Sequence, residues 1–281
     1  MTESDGYTSP DNDERGLGWM DNKKASLPYI LGNSWKEIER RKTQHVIFQY
    51  ALGRASAGAW AMDIAGLYPN CIVDGIDVPQ YKFNKDDVPN NCNFTTCTIT
   101  EPLPFEDSTF DYVFIRHMGL AVKAENWPAF LIELKRVMKP GGYLEWMDTD
   151  GAFHGGPEVT KFMSDVVGAI GKNGYDIRLA RHNHRMVATA GFSDVAHNVF
   201  SIPIGSLWNE VIGRAFSNDF HQGLQSLRNY ILLTLNISTE EYDRRLTTVV
   251  HEWNHVLKAF ANHRIVVSRK ALYNIDIDDP K

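Results

Sequence analysis

The stretch Leu134-Lys-Arg-Val-Met-Lys-Pro-Gly-Gly-Tyr-Leu-Glu-Trp146 decides the fold class of this chain. It passes from a helical pattern through a Pro-Gly-Gly turn into a short apolar run, which is typical of a helix followed directly by a strand. Trp60 to Ala65 likewise predicts a helix, and Cys71-Ile-Val-Asp-Gly-Ile-Asp77 predicts a strand that ends in an acid. Helices that alternate with apolar strands at this spacing indicate an α/β fold with crossover helices.

The same patterns predict how the strands are arranged. We expect the strands at 71–77, 111–116 and 142–147 to lie side by side at the centre of one mainly parallel sheet. After Asp148 the chain becomes predominantly helical, and Arg264-Ile-Val-Val-Ser-Arg269 predicts a final strand. Since an antiparallel edge is commonly added to a parallel sheet, we expect the two late strands to form an antiparallel C-terminal edge, with residues 264–269 on that side of the sheet.

The composition is that of an ordinary soluble globular protein, with 281 residues, 43% hydrophobic and 23% charged. The net charge of −6 argues against a general nucleic-acid-binding surface. No apolar run approaches the roughly 20 residues of a membrane helix, and the acidic N-terminal residues do not resemble a secretory or transit signal. Three cysteines without Cys-x-x-Cys spacing fit a reduced compartment. We therefore expect a cytoplasmic protein, with the nucleus as the alternative, and neither nucleic acid nor membrane as partner.

The organisation along the chain is that of a tail followed by one domain. Residues 1–33 are polar and aperiodic, which predicts a disordered or loosely attached tail. The domain covers 34–281 and begins with a capping box at Ser34. The segment His45 to Leu52 either continues that helix or forms a buried strand, since Val-Ile-Phe is β-prone. The later patterns predict helices at 158–170 and 178–190, a strand within 192–204, and mainly helix over 206–262.

Asp77 is the best single candidate for a binding residue. An acid at the carboxyl end of an early strand in a doubly wound sheet can accept hydrogen bonds from both hydroxyls of a nucleoside ribose. It follows Gly58 by 19 residues, close to the ~20 expected between a cofactor loop and the ribose acid. The alternative is a strand-end acid that caps the next turn.

Four motifs occur in order and carry a family resemblance. Together they resemble a class I S-adenosylmethionine-dependent methyltransferase, in particular the fungal group that includes regulators of secondary metabolism. The resemblance covers roughly residues 40–150 and implies a Rossmann-like sheet, S-adenosylmethionine as cofactor, and a small molecule or a protein as methyl acceptor. It makes 34–148 the cofactor-binding half and 149–281 the half with a helical substrate lid and the last strands. The motifs are Asp63-Ile-Ala-Gly-Leu-Tyr-Pro-Asn70, Gly75-Ile-Asp-Val78, Leu103-Pro-Phe-Glu-Asp-Ser-Thr-Phe-Asp-Tyr-Val113 and Leu134-Lys-Arg-Val-Met-Lys-Pro-Gly-Gly-Tyr-Leu-Glu145.

The resemblance also assigns cofactor-binding residues. Asp77 matches the acid that holds the ribose of the methyl donor, and Val78 follows it in the same motif. Thr98 and Ile99 match the pair that flanks the adenine after the third strand, although members usually have an acid where this chain has Thr98. Arg116 falls at the end of the fourth strand, where the family lines the methyl-transfer pocket.

No catalytic residue is assigned by the sequence. His117 is the one candidate, either as a general base for a hydroxyl or amine or as part of the pocket wall or core. Methyl transfer from a sulfonium is a displacement that mainly needs positioning, so a dedicated acid or base is not required.

The chain departs from the family at the glycine-rich cofactor loop. Gly58 matches the last glycine of the family's Gly-x-Gly-x-Gly loop, but Ser56 and Arg54 stand where the other two glycines belong. The family's first strand, an apolar run ending in an acid just ahead of the loop, has no counterpart here. That strand normally lies at the centre of the sheet. We therefore expect a sheet that lacks it, unless His45 to Leu52 supplies a substitute.

Other polar residues carry weaker signals. His182, His184 and His197 suggest a metal site, but the cations around the first two favour a solvated helix face, and no metal is expected. Glu145 and Asp148 lie at the end of the strand predicted at 142–147, where they either face a substrate or lie on the surface.

Three functions remain open from the sequence. The first is a methyltransferase of unknown acceptor, with activity impaired by the degenerate loop. The second is a non-catalytic, methyltransferase-like binding or regulatory protein. The third is a nicotinamide-dependent oxidoreductase, which the lack of Gly-x-Gly-x-x-Gly disfavours. No oligomeric state follows from the sequence.

Overall fold

A computed structural model describes residues 40, 41, 44, 57–77, 88–97, 99 and 101–272. Residues 40, 41 and 44 are helical. The predicted tail at 1–33 and the ambiguous segment His45 to Leu52 lie outside the described residues.

The first half of the described chain alternates helices and strands, as the sequence predicts. Helix α2 (Trp127–Val137) begins with a proline in its first turn and buries the stripe that contains Trp127, Phe130 and Leu134. The elements are α1 (Ala57–Leu67), β1 (Val73–Asp77), β2 (Cys92–Thr96), β3 (Phe110–Arg116), α2 (Trp127–Val137) and β4 (Met138–His154).

The strand β4 is much longer than the predicted 142–147. Its first residues contain the Pro-Gly-Gly turn, and Gly141 has a φ of +81°, which an L side chain rarely adopts. The pairing of β3 with β4 shifts register at this point, from Phe110 opposite Met138 to Tyr112 opposite Tyr143. The turn is therefore an irregularity inside a continuous strand.

The second half is dominated by helices around two long strands. The predicted helix at 178–190 is instead a short 3-10 turn, Leu179–Arg181, followed by a brief helix. The helical prediction over 206–262 is wrong at its end, because the chain enters a strand at Ala259. The elements are α3 (Pro157–Lys172), α4 (Asn183–Thr189), β5 (Phe192–Ile204), α5 (Ile212–Leu235), α6 (Thr239–His251), a π-helical turn (Glu252–Val256) and β6 (Ala259–Lys270).

The main sheet has four strands in the order β3-β4-β6-β5. Strands β3 and β4 are parallel, whereas β6 pairs antiparallel with both β4 and β5. The predicted α/β fold, with parallel strands and an antiparallel C-terminal edge, is confirmed.

The strand β1 does not join this main sheet. It pairs in parallel with β2 in a separate two-stranded sheet. The prediction that 71–77 lies beside 111–116 and 142–147 in one sheet was therefore wrong. A strand placed between β1 and β3 would join the two sheets by forming backbone hydrogen bonds with both. Among the described residues no strand does so.

Three apolar clusters hold these layers together. The largest packs helices α3, α5 and α6 against the main sheet, and Phe216, Tyr242 and Trp253 are fully buried in it. A second packs α2 against the other face, with the rings of Trp127 and Trp146 stacked 4.2 Å apart. The third joins α1 to the small sheet through residues such as Ala65 and Val73. No helix within the described parts of the chain is long and apolar enough to span a membrane.

Candidate active site

A cavity of about 1030 Å³ is lined by residues of both sheets. Its walls include Val73 and Ile76 of β1, residues 110–116 along β3, and the apolar faces of α3 and α5. Ligand sites in proteins commonly have volumes of about 300–1,000 Å³, so the cavity has room for a cofactor and an acceptor. In open α/β sheets, ligands bind at the carboxyl ends of the strands.

Helix α1 contacts the main sheet across this cavity through one aromatic side chain. The Trp60 indole stacks on the ring of Phe114, with centroids 4.5 Å apart, and lies 6.2 Å from the ring of Tyr112. Both partners belong to β3, whereas α1 packs on the small sheet. Trp60 therefore links the two sheets by side-chain packing.

The carboxyl end of β3 turns sharply at His117. This residue has a left-handed backbone, with φ 53° and ψ 40°, a conformation that costs a non-glycine residue about 1 kcal/mol or more. Its amide donates to the Met147 carbonyl at 3.0 Å. A 3-10 turn, Met118–Leu120, follows directly. The left-handed residue is thus held where β3 reaches the cavity.

The carboxylate of Asp148 fixes this turn from the neighbouring strand. Its Oδ2 accepts hydrogen bonds from the amides of Met118 at 2.9 Å and Gly119 at 3.1 Å, and its Oδ1 accepts from the Thr149 amide at 3.0 Å. Burial raises the pKa of Asp148 to about 6, although hydrogen bonds from Trp146 and these amides act in the opposite direction. Asp148 is thus a buried positioning residue.

The buried His263 and the half-buried His117 face each other at the same end of the cavity. The rings of His117 and His263 have centroids 5.5 Å apart, and both residues line the cavity. Burial lowers the pKa of His263 to about 3, and the charge of Arg116 acts in the same direction. Burial and the nearby Arg116 also hold the pKa of His117 well below 6.5. Both rings are therefore neutral near pH 7.

Charged residues surround the histidine pair. Arg40 Nη1 lies 2.7 Å from Asp219 Oδ1 in a buried ion pair, and Gln44 Nε2 donates to Asp219 Oδ2 at 2.9 Å. Burial lowers the pKa of Arg116 to about 9, while attraction by Asp219 and Asp148 acts to raise it. Arg116 therefore keeps its positive charge near pH 7.

The second half of the chain gives the cavity an apolar wall. Phe220 packs edge-on against Phe153 and Phe216, with ring centroids 5.0 and 4.8 Å apart. Leu224 and Leu227 continue this wall along α5, and the opposing helix α3 contributes further aliphatic side chains.

The predicted site residues fall into three groups. Ile99, Arg116 and His117 line the same cavity. Asp77 ends β1, opposite Thr96 of β2, and Gly58 lies in the first turn of α1. Val78, Thr98, Arg54 and Ser56 lie outside the described residues.

The weaker sequence signals resolve into structural contacts. Glu145 is buried and accepts a hydrogen bond from the Tyr112 hydroxyl at 2.9 Å, so it is not a surface acid. The rings of His184 and His197 lie 4.8 Å apart. In the described part of the chain, no group of three or more His, Cys, Asp or Glu residues could hold a metal ion.

Sequence reasoning missed two polar residues of the site. Asp219 lies among Phe216, Phe220 and Leu227 on the apolar face of α5, and His263 lies in the alternating strand β6. Each is a polar residue at a position whose periodicity predicts burial, and that mismatch is a signal visible in the sequence.

Comparisons with known proteins find methyltransferases among the similar sequences. A family model described as a methyltransferase domain matches residues 55–145. Methyltransferase cpsF of Aspergillus campestris is 24% identical over 240 residues, which cover 77% of this chain and 74% of that protein. Methyltransferase str2 of Strobilurus tenacellus is 27% identical over 140 residues, 50% of this chain, and the match spans about half of its own length, 48%.

A solved phosphoethanolamine N-methyltransferase of Haemonchus contortus aligns with 86% of this chain and 55% of that chain, at 16% identity and a TM-score of 0.45. The family and sequence matches favour a methyltransferase over the oxidoreductase alternative. Residues 55–145 match a methyltransferase domain, and the relatives support the resemblance to class I S-adenosylmethionine-dependent methyltransferases.

Proposed function

We propose that this chain binds S-adenosylmethionine in the cavity and transfers its methyl group to a small molecule. One observation carries the proposal: β1 and β3, the strands that hold the family-matched residues, line the same cavity. Residues 34–281 then form one methyltransferase domain, and 149–281 supply the wall of the cavity that contacts the methyl acceptor.

The proposed cofactor contacts follow the family motifs. Asp77 accepts hydrogen bonds from the ribose hydroxyls, while Val78, Thr98 and Ile99 flank the nucleoside. The amino-terminal end of α1, near Gly58, lies next to the methionine part of S-adenosylmethionine. The volume of about 1030 Å³ and the apolar wall of Phe94, Ile76 and Ile99 suit a nucleoside.

The bound cofactor would supply an electrophilic methyl group on a sulfonium. The chain's own residues supply position and desolvation, which are the main requirements of such a displacement. His117 and its strained turn hold one wall in place. Because its pKa lies well below 6.5, we propose that His117 positions the acceptor and does not serve as the general base.

We further propose that cofactor affinity is weak. The family's central strand has no counterpart in the sequence, and among the described residues no strand pairs with both β1 and β3, which supports this interpretation. Arg54 and Ser56 replace glycines that allow the backbone to approach a ligand. A non-catalytic role is the alternative, but the reported relatives, both called methyltransferases, do not favour it.

Calorimetric titration with S-adenosylhomocysteine, the product that occupies the same site, tests this proposal. We expect saturable binding of one molecule with a Kd above about 100 µM, a binding free energy weaker than about −5.5 kcal/mol. S-adenosylhomocysteine should also inhibit transfer of labelled methyl groups to an acceptor. If no heat develops at millimolar ligand, this chain is not a functional cofactor-binding protein.

A further inference from the structure

We propose that two copies of this chain form a dimer by antiparallel pairing of their β5 strands, so that the two main sheets become one continuous sheet. The surface involved is the outer edge of β5 over residues 195–202, meaning the edge that faces away from β6. This inference goes beyond the proposed function and does not depend on cofactor binding.

The strand β5 is the outermost strand on one side of the main sheet. It pairs with β6 along one edge, and no other strand in the described part of the chain pairs with its second edge. The outer edge of such a strand presents a row of backbone N–H and C=O groups to its surroundings, and this row is a template for a further strand. The fold therefore offers a position at which another chain can extend the sheet.

Two irregularities mark the ends of the part of β5 that can pair. Asp194 has a φ of 51°, and the register with β6 shifts between Ser193 and Ala196. At the other end, Pro203 has no backbone N–H to donate, and proline in a sheet is found mainly on edge strands with that side facing outwards. From Ala196 to Ile202 the register with β6 is continuous, ending with Ile202 opposite Ala261. Residues 195–202 are thus a regular strand with a usable outer edge.

This edge carries no charged side chain. The longest stretch of the sequence without Lys, Arg, Asp or Glu is 195–209, a run of 15 residues in a chain of which 23% is charged. Burial, His184 and Arg264 lower the pKa of His197, so its ring is also neutral near pH 7. Sheet edges that remain unpaired usually carry charged side chains, especially lysine. The outer edge of β5 therefore lacks the side chains that keep such strands apart, and the cores of protein interfaces are likewise depleted of charge.

A second copy of this chain is the partner that fits this surface. Antiparallel pairing of a strand with its own copy follows a two-fold axis, which gives a closed dimer with the same surface on both sides. The centre of 195–202 lies between Asn198 and Val199, so one of these residues lies opposite its own copy. Both are exposed, Val199 to 49%. An asparagine amide can both donate to and accept from its copy, and two valines bury apolar surface, so the centre is self-complementary in either register.

Pairing at β5 leaves the cavity accessible in each copy. Strand β3, which lines the cavity, lies on the opposite side of the main sheet from β5. None of the described residues that line the cavity belongs to β5. We therefore expect that disruption of the dimer leaves the affinity for S-adenosylhomocysteine unchanged.

Size-exclusion chromatography with light scattering tests the dimer on the full chain. At a chain concentration of about 100 µM, above the micromolar dissociation constants of weaker interfaces, the mass should be twice the 31.9 kDa of one chain. Val199→Lys places two like charges close together across the two-fold axis and should give the mass of one chain. Leu233→Lys is the matched control, because it adds the same charge at an apolar residue of α5 that is 65% exposed, and it should remain a dimer. Circular dichroism confirms that both variants are folded.

Cysteine cross-linking locates the axis. Residues directly opposite in an antiparallel pair have Cβ atoms about 4.5–5.5 Å apart, so under mild oxidation either Asn198→Cys or Val199→Cys should form a disulfide-linked dimer. The original chain, with its exposed Cys71, is the control and should form none.

Four results would overturn the proposal. The first is the mass of one chain for the original protein, and the second is a dimer that persists in Val199→Lys. The third is a mass that keeps rising with concentration, because pairing about one two-fold axis is closed. The fourth is the absence of a cross-link in both cysteine variants.

Discussion

The indole of Trp60 stacks on the ring of Phe114 at a centroid distance of 4.5 Å, and this contact joins α1 to the main sheet. Because α1 packs on β1 and β1 belongs to the small sheet, the pair connects two sheets that share no described strand. Within the described part of the chain, the two sheets are connected here by side-chain packing and not by backbone hydrogen bonds.

Trp60→Ala should therefore destabilise the protein and loosen the small sheet. We expect a loss of roughly 2–4 kcal/mol in the free energy of unfolding, somewhat below the range for fully buried aromatic-to-alanine changes because Trp60 is only partly buried. Urea denaturation gives this value, and hydrogen exchange should show faster exchange in β1 and β2 than in β4. Trp208→Ala is the control, since Trp208 is 50% exposed, and it should cost about 1 kcal/mol or less. Equal losses in the two variants would show that Trp60 does not link the sheets.

Asp77→Ala should weaken binding of S-adenosylhomocysteine at least tenfold. Charge-assisted hydrogen bonds to two ribose hydroxyls contribute on the order of 1.5–3 kcal/mol each, and about 1.4 kcal/mol is a factor of ten. Competition calorimetry with a tighter nucleoside analogue measures the change. Asp176→Ala, at an acid beside Arg178, should leave affinity unaltered. Unchanged affinity in Asp77→Ala would remove Asp77 from the site.

The stability of the fold should fall when the pH is lowered from 7.5 to 5.5. The folded-state pKa of His263 is depressed to about 3, so this residue contributes stability that is present above its unfolded pKa of roughly 6.5 and is lost as the pH falls. His117, with a pKa well below 6.5, acts in the same direction. Asp148 opposes them, because its pKa is raised to about 6 and its protonation between about pH 6 and 4 favours the folded state.

Between pH 7.5 and 5.5 the destabilisation that comes from His263 and His117 exceeds the stabilisation that comes from Asp148. The free energy of unfolding therefore decreases. One histidine that stays neutral in the folded state contributes about 1.4 kcal/mol to the difference between pH 7.5 and 5.5. His263→Asn should reduce the difference by that amount in urea denaturation at the two pH values. His255→Asn changes an exposed residue and should leave the difference between the two pH values unchanged. A pH dependence that is identical in His263→Asn and the original chain would show that His263 is not buried as a neutral group.

Much of the fold could be predicted because local sequence and tertiary structure agree. The Pro140-Gly-Gly142 turn, the apolar stripe of α2 and the alternating β5 each carry their own pattern, and each lies within a residue or a few of its predicted place. The separation of β1 from β3 could not be read from periodicity, since it depends on which strands pair. The absence of the family's first-strand motif from the sequence is a departure that the sequence itself shows.

The site was predictable only in part. Arg116 and His117 follow a strand pattern, and strand ends mark the site edge in such folds. Asp219 and His263 reach the cavity from elements 100 or more residues away along the sequence, so only tertiary packing brings them to His117. The left-handed backbone of His117 also has no sequence signal, because glycine or asparagine is the usual residue there.

The most direct test of the proposed weak cofactor binding inserts the strand and loop that the family motif contains and this sequence lacks. A segment of the form apolar-apolar-Asp-apolar-Gly-x-Gly-x-Gly is inserted between Gly53 and Ala59, and a Gly-Ser linker of equal length at the same place is the control. Calorimetric titration with S-adenosylhomocysteine is then compared across the original chain and both variants. We predict that the strand-plus-loop insertion strengthens binding at least tenfold and raises the Tm, whereas the linker does neither. Micromolar binding of S-adenosylhomocysteine by the original chain would contradict the proposed weak affinity, and His45 to Leu52 would then have to supply the central strand.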